Sequence, residues 1–332
     1  MKKIIDFIKK LNPHIIIPII ILLAIAGTVF FILKWARGVD STYDPNEVEE
    51  GYDIEVLDMV YYMTPDLLEG HTPNETKKVL CFGNAPFADD RDSKDNLCNL
   101  IAEETGAEVI NVSIPDSYMA MNSPGLNVED PNDYYTFYWL TSFAALKDPE
   151  VYENFNKFGR GTSQIGDDVV DYLYELDMNT VDTIVVMYDA ADYLDGRIKE
   201  TPENLTNPLT FCGNMYAGIE MIESLYPHIQ IIIMSPTYAY AIDEDGNYVS
   251  SDIVKVEGES LSNYAITQLN LCQVKEITFI DHIYGTVHCD NADMYLTDNV
   301  HLNVEGRKAV ASRFSEIFKR TWDRYYEKLE EQ

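Results

Sequence analysis

The chain has 332 residues, enough for one good-sized domain or two small ones, and a formal net charge of −32. The charge is uneven: residues 1–37 carry six Lys or Arg and one Asp, which leaves 18 basic against 55 acidic side chains in the rest. A field of that sign repels polyanions, which excludes nucleic acid as a partner.

In chain order, the basic tail 1–14 leads into Ile15–Leu33, nineteen uncharged residues broken only by Pro18, Gly27 and Thr28. That length matches the ~20 residues that cross a bilayer. Lys2, Lys3, Lys9 and Lys10 in front of it place the N-terminus in the cytoplasm and the rest outside, with Trp35 at the far interface. Ala24-Ile25-Ala26 resembles a signal-peptidase site. The apolar run nevertheless continues seven residues past it, which favours an uncleaved anchor in the cell membrane. Residues 38–76, acidic and punctuated by Asp44-Pro45, Thr64-Pro65 and Thr72-Pro73, read as a stalk.

From residue 77 apolar runs and amphipathic segments alternate. Strands are expected at Val79–Phe82, Glu108–Val112, Thr183–Met187, Ile229–Met234 and Ile277–Ile280. Helices are expected from about Ser93, at 164–176, at Phe211–Leu225, near 259–274 and from Glu305 onward. This alternation predicts an α/β fold: a three-layer α/β/α sandwich around a five-stranded parallel sheet, preceded by the membrane helix. Two insertions interrupt the rhythm. The stretch 117–160 is rich in aromatics, among them Tyr134, Tyr135, Phe137, Tyr138, Trp139 and Phe143. The stretch 237–257 holds a hairpin turn at Asp243-Glu-Asp-Gly-Asn247. Cysteines 81, 98, 212, 272 and 289 show no metal-type spacing and read mostly as buried thiols, a Cys272–Cys289 disulfide remaining open.

The candidate chemistry sits at the ends of these elements. Asp298 and His301 stand three apart just before the last helix, so one helix-like turn lets the carboxylate hold one imidazole nitrogen and leave the other as a base. The first strand ends in Gly83-Asn84-Ala85, where open α/β sheets place their chemistry. Asp89, Asp90, Asp92, Asp189 and Asp192 were weighed as ligands of a hard cation and read instead as a solvated rim with helix caps, so neither metal nor cofactor is expected.

Over residues 77–325 the chain resembles the SGNH/GDSL hydrolase superfamily. Leu296-Thr-Asp-Asn-Val-His-Leu-Asn-Val-Glu-Gly306 matches that family's Asp-x-x-His block. Gly83-Asn84-Ala85 aligns with its Gly-Asp-Ser, so Ala85 occupies the position of the nucleophile. Asn111-Val-Ser-Ile-Pro-Asp116 aligns with Asn-x-Gly-x-x-Gly, placing Ser113 and Asp116 at the glycines. Met187-Tyr-Asp-Ala190 aligns with Gly-x-Asn-Asp, placing Asp189 at the oxyanion-hole asparagine. Ser113 and Asp189 are therefore the expected oxyanion-hole positions.

The resemblance implies an extracytoplasmic protein related to esterases or O-acyltransferases of cell-envelope glycans, acting on acylated carbohydrate beside a membrane-bound O-acyltransferase. Ala85 has no hydroxyl and forms no acyl-enzyme, so weak or absent hydrolysis is expected. The alternative is a pseudoenzyme that binds a glycan or that acyltransferase without turnover. Ser93, Ser117 and Ser235 were considered as substitute nucleophiles and read as structural. Aromatics at helical spacing, as in 134–143, read first as core; Trp139 is the candidate sugar-stacking residue should that segment instead cover the site as a lid.

Overall fold

The computed structural model describes residues 56–123, 129–201 and 203–330, with side chains described as far as residue 322. The expected tail 1–14, the anchor 15–33 and the stalk as far as residue 55 lie outside the described residues. Among the described residues no helix is long and apolar enough to cross a membrane.

The chain runs through β1 (Lys78–Gly83), a short α1 (Ala85–Ala88), α2 (Leu97–Thr105) and β2 (Glu108–Asn111). Next come α3 (Phe137–Ala145), α4 (Pro149–Phe158), α5 (Gln164–Glu175), β3 (Thr183–Met187), α6 (Ala191–Leu194) and α7 (Phe211–Leu225). After β4 (Gln230–Met234) stand the hairpin strands β5 (Tyr240–Ile242) and β6 (Tyr248–Ser250). Then follow α8 (Leu261–Lys275), β7 (Thr278–Ile280), α9 (His282–Gly285), α10 (Ala292–Tyr295) and α11 (Val304–Glu330).

Five strands form one parallel sheet in the order β2-β1-β3-β4-β7, with β5 and β6 a separate antiparallel pair. β3 and β4 are buried along their whole length, as expected for apolar runs without alternation. The strand order reverses between β1 and β3, whose ends leave a crevice at their C-terminal edge. The helices pack in two groups, α2 with α11 and α3 with α5 and α7, the last also contacting α8.

Local chemistry sets the boundaries. Asn96 caps α2 by accepting from the Cys98 amide at 2.9 Å, which moves the helix start beyond the expected Ser93. Gly83 is required by a close approach: a Cβ there would lie 1.9 Å from the Met187 carbonyl oxygen. That contact lets β1 and β3 end side by side.

Two expectations need correction. Residues 56–76 were assigned to the stalk because they are polar and Pro-containing, yet they are part of the globular unit. Met59 pairs with Phe279 beside β7, exchanging backbone hydrogen bonds of 3.0 and 2.8 Å, and Met63 and Leu68 are buried. Buried Asp182 also accepts from the Asn74 amide (2.9 Å) and its side chain (2.7 Å). A short edge segment fixed by backbone pairing leaves little hydropathy signal.

The aromatic insertion is core rather than lid. Trp139 is 2 % exposed and packs with Tyr134 (5.7 Å between ring centroids) and Tyr138 (5.3 Å) on a helix seated against α7. Gly218 on α7 has no Cβ, and Phe137 occupies the space one would fill. All five cysteines are free; Cys272 is buried and Cys289 exposed, so that disulfide is not formed.

Candidate active site

β1 delivers Asn84 and Ala85 to the crevice. Asn84 is 1 % exposed and ties β1 to its neighbours: its Nδ2 donates to Asp189 Oδ1 (2.7 Å) and the Ser117 carbonyl (3.1 Å), while its Oδ1 accepts from the Asp189 amide (2.9 Å). Ala85 opens α1 with Pro86 behind it, where proline's fixed φ suits a first helical turn.

β3 delivers Asp189, 6 % exposed, whose Oδ1 also accepts from the Ala191 amide at 2.9 Å. Burial pushes its carboxyl pKa above the ordinary range, against the pull of the Ala191 amide, Asn84 and His301. Its neighbour Asp192 accepts from the Met119 and Ala120 amides (2.9 and 2.8 Å) and thereby pins the loop after β2. Burial raises Asp192 to about 6, with those amides opposing the rise.

The loop before α11 delivers the histidine. The Leu296–Leu302 bridge closes it, and Thr297 donates to the His301 carbonyl at 2.8 Å. Asn303 accepts from the Gly306 amide at 3.0 Å and starts the helix. Inside this frame Asp298 Oδ1 accepts from the amides of Val300 and His301, and Asp298 Oδ2 meets His301 Nδ1 at 2.7 Å. Burial by itself would raise Asp298, but the His301 and Val300 amides and the imidazole outweigh it and hold the carboxyl low. Burial would likewise lower His301; Asp298, then Asp89 and Asp189, outweigh it and raise the imidazole. With Nδ1 held, Nε2 is the nitrogen left for a partner.

These three deliveries meet in one cleft of about 320 Å³ whose lining includes Asn84, Ala85, Asp116, Tyr118, Asp189 and His301. The expected residues Ala85, Asp189 and His301 are thus brought together, with Asp298 directly behind the histidine. Ser113 is not on the cleft. It is fully buried, and both its amide (3.1 Å) and its hydroxyl bond Asn111 Oδ1. Asp116 lines the cleft instead, with φ +57°, the left-handed region that glycine adopts most readily. Asp tolerates that region better than most residues, at about 1–2 kcal/mol. Positions 113 and 116 both align with glycines, so the sequence carries no signal that separates them; the backbone angle does. Trp139, buried elsewhere, is not part of the cleft.

The described cleft residues include no Ser, Thr or Cys. Ser117 is buried with its hydroxyl donated to Ile114 O (2.8 Å), and Ser235 Oγ is engaged by Pro236 O and the His282 amide. Tyr118 carries the one hydroxyl among them, but burial and Asp195 raise its pKa, the reverse of activation. The strand-end aspartates do not converge on a cation site: Asp90 pairs with Arg307 (2.6 Å), and Asp192 is occupied as above. Among the described residues, the metal-type donors that do converge are His288, Cys289 and Asp290, none of which lines the cleft.

No protein-family model matches the sequence, and no curated protein is significantly similar to it. Solved structures do match. One has TM-score 0.52 at 16% identity over 74% of this chain and 97% of its own. A protein from Lactobacillus plantarum has TM-score 0.51 at 14% identity, covering 75% of this chain and 99% of its own. A possible lipase from Chitinophaga pinensis has TM-score 0.46 at 13% identity, covering 73% and 98%. At such identities the likeness is one of fold. The chain shares the α/β fold of those structures, with Gly-Asn-Ala after the first strand of a five-stranded parallel sheet and Asp-x-x-His before the last helix.

Proposed function

We propose that this chain is an SGNH-type domain related to esterases and O-acyltransferases of cell-envelope glycans, which holds an acylated carbohydrate without forming an acyl-enzyme. In this reading residues 15–33 anchor it in the cell membrane with the domain on the external face, beside a membrane-bound O-acyltransferase. One observation carries the loss of turnover: His301, oriented by Asp298 at 2.7 Å, lines the same cleft as the methyl group of Ala85 and no serine, threonine or cysteine. A base without a nucleophile leaves only slow attack by water, and losing such a nucleophile removes on the order of 10⁶ in kcat.

The second reading, a purely non-catalytic module that binds a glycan or the acyltransferase, is favoured by Asp189. Its carboxylate stands where an acyl-transfer site needs a donor, and an ionised carboxylate repels a developing oxyanion. The experiment that separates the two uses acetylated chito-oligosaccharide and activated acetate esters with the wild type and with Ala85→Ser. Activity created by that change supports the first reading. A folded, substrate-binding and inert Ala85→Ser/Asp189→Asn protein supports the second, and failure of acylated glycan to bind either protein contradicts the first and leaves of the second only binding to the acyltransferase.

A further inference from the structure

The polarity of the cleft points to its ligand. An acyl-transfer cleft aims N–H donors at the atom where negative charge develops. Here Asp189 offers an acceptor: Oδ1 is taken by Asn84 and the Ala191 amide, while Oδ2 receives no hydrogen bond from the described residues, on a residue only 6 % exposed that lines the cleft. A carboxylate oxygen open to a cleft on an otherwise buried side chain is stabilised most by a cationic donor. Asp116 and Asp195 line the same cleft, whose described lining has no Lys or Arg and one basic side chain, His301, held by Asp298. The Arg197 guanidinium is not among the lining residues and is engaged by the protein, partly offsetting Asp195. It lies 3.5 Å from the centre of the Tyr118 ring, donates to the Ala120 carbonyl (2.6 Å) and pairs with Asp195 (3.1 Å).

We propose that the cleft selects a ligand carrying a primary ammonium, with Asp189 Oδ2 as its acceptor and Asp116 and Asp195 supplying the surrounding field. This rests on reading the cleft as the ligand site of an SGNH domain without turnover. Two sources share that chemistry, an amino sugar and an aminoacyl ester. Anionic ligands such as uronic acids meet three carboxylates and are rejected.

Isothermal titration of the full chain with four small probes tests this. Glucosamine is compared with N-acetylglucosamine, and alanine methyl ester with methyl propionate, with glucuronate as the anionic control. At least one ammonium probe should bind about tenfold or more tighter than its neutral counterpart, the scale of a hydrogen bond to a charged group. Asp189→Asn, which keeps an oxygen for Asn84 and Ala191, should abolish that preference. Tighter binding of glucosamine alone identifies the amino sugar; of alanine methyl ester alone, the aminoacyl ester. Equal or tighter binding of the neutral probes or of glucuronate overturns the proposal, as does no ammonium binding at millimolar concentration or a preference that survives in Asp189→Asn. Hydrolysis of alanine methyl ester by the wild type, read in the same samples, contradicts the absence of turnover and leaves the ammonium preference to be judged on binding.

Discussion

Asn84 and Asp189 hold each other by two hydrogen bonds running in opposite directions, amide Nδ2 to carboxylate Oδ1 at 2.7 Å and backbone amide to Oδ1 of the asparagine at 2.9 Å. The SGNH pattern has Asp at the first of these positions and Asn at the second. The chain has the reverse, and in it the amide and the carboxylate bond each other across the ends of β1 and β3, so each of the two side chains supplies what the other needs.

That matching gives a stability prediction. Asp189→Ala removes the shorter of two acceptors of the buried Asn84 Nδ2 and the side-chain acceptor of the Ala191 amide, and a donor left unsatisfied costs about 1–3 kcal/mol. Asp189→Asn retains an acceptor oxygen and should lose clearly less. Urea unfolding of the two variants measures the difference; equal losses would show that the pair contributes little.

Trp139→Ala should destabilise the domain by about 3–5 kcal/mol, the range for emptying a buried aromatic site, and leave ligand affinity of the folded fraction unchanged. A weakened ligand with normal stability would restore the lid reading. The sequence carries the aromatic spacing of α3 but not the direction in which it faces. That direction depends on α7, where Gly218 makes room for Phe137, a contact between residues far apart in the chain. By contrast β3, α7 and the Asp298–His301 turn were legible because each is encoded locally, by an unbroken apolar run, a helical stripe or a three-residue spacing. Asp116 was harder to distinguish from Ser113, since both align with glycines and only the backbone angle separates them.

The N-terminal boundary is testable by truncation. A chain beginning at residue 77 loses the Met59–Phe279 pairing, buried Met63 and Leu68, and the Asn74 bonds to Asp182. It should melt well below a chain beginning at residue 56. Equal melting temperatures would return residues 56–76 to the stalk.

The His301 imidazole should titrate above 6.5, because Asp298, Asp89 and Asp189 outweigh the opposing effect of burial. The sign for stability follows from linkage: a folded-state pKa raised above the unfolded value gives a contribution fully present below about 6.5 and lost as pH rises through the folded value. Asp298 is held low and acts in the opposite sense, its contribution present above its ordinary 3.8 and lost as pH falls through the folded value. NMR titration of the imidazole checks the first, and Asp298→Asn should move the His301 midpoint down. A midpoint unmoved by Asp298→Asn would mean that the pair is not formed in solution.

The central claim is that this cleft holds an oriented base without an attacking oxygen. Labelling with a serine-directed fluorophosphonate tests it most directly, with the modified residue located by peptide mass. The wild type should remain unlabelled. Ala85→Ser should be labelled at residue 85, His301→Ala in that background should abolish the labelling, and adding Asp189→Asn should raise ester turnover by up to ~10²–10³, the scale of one oxyanion donor. Labelling of the wild type within the cleft, or a folded Ala85→Ser/Asp189→Asn protein that takes no label, would contradict the claim.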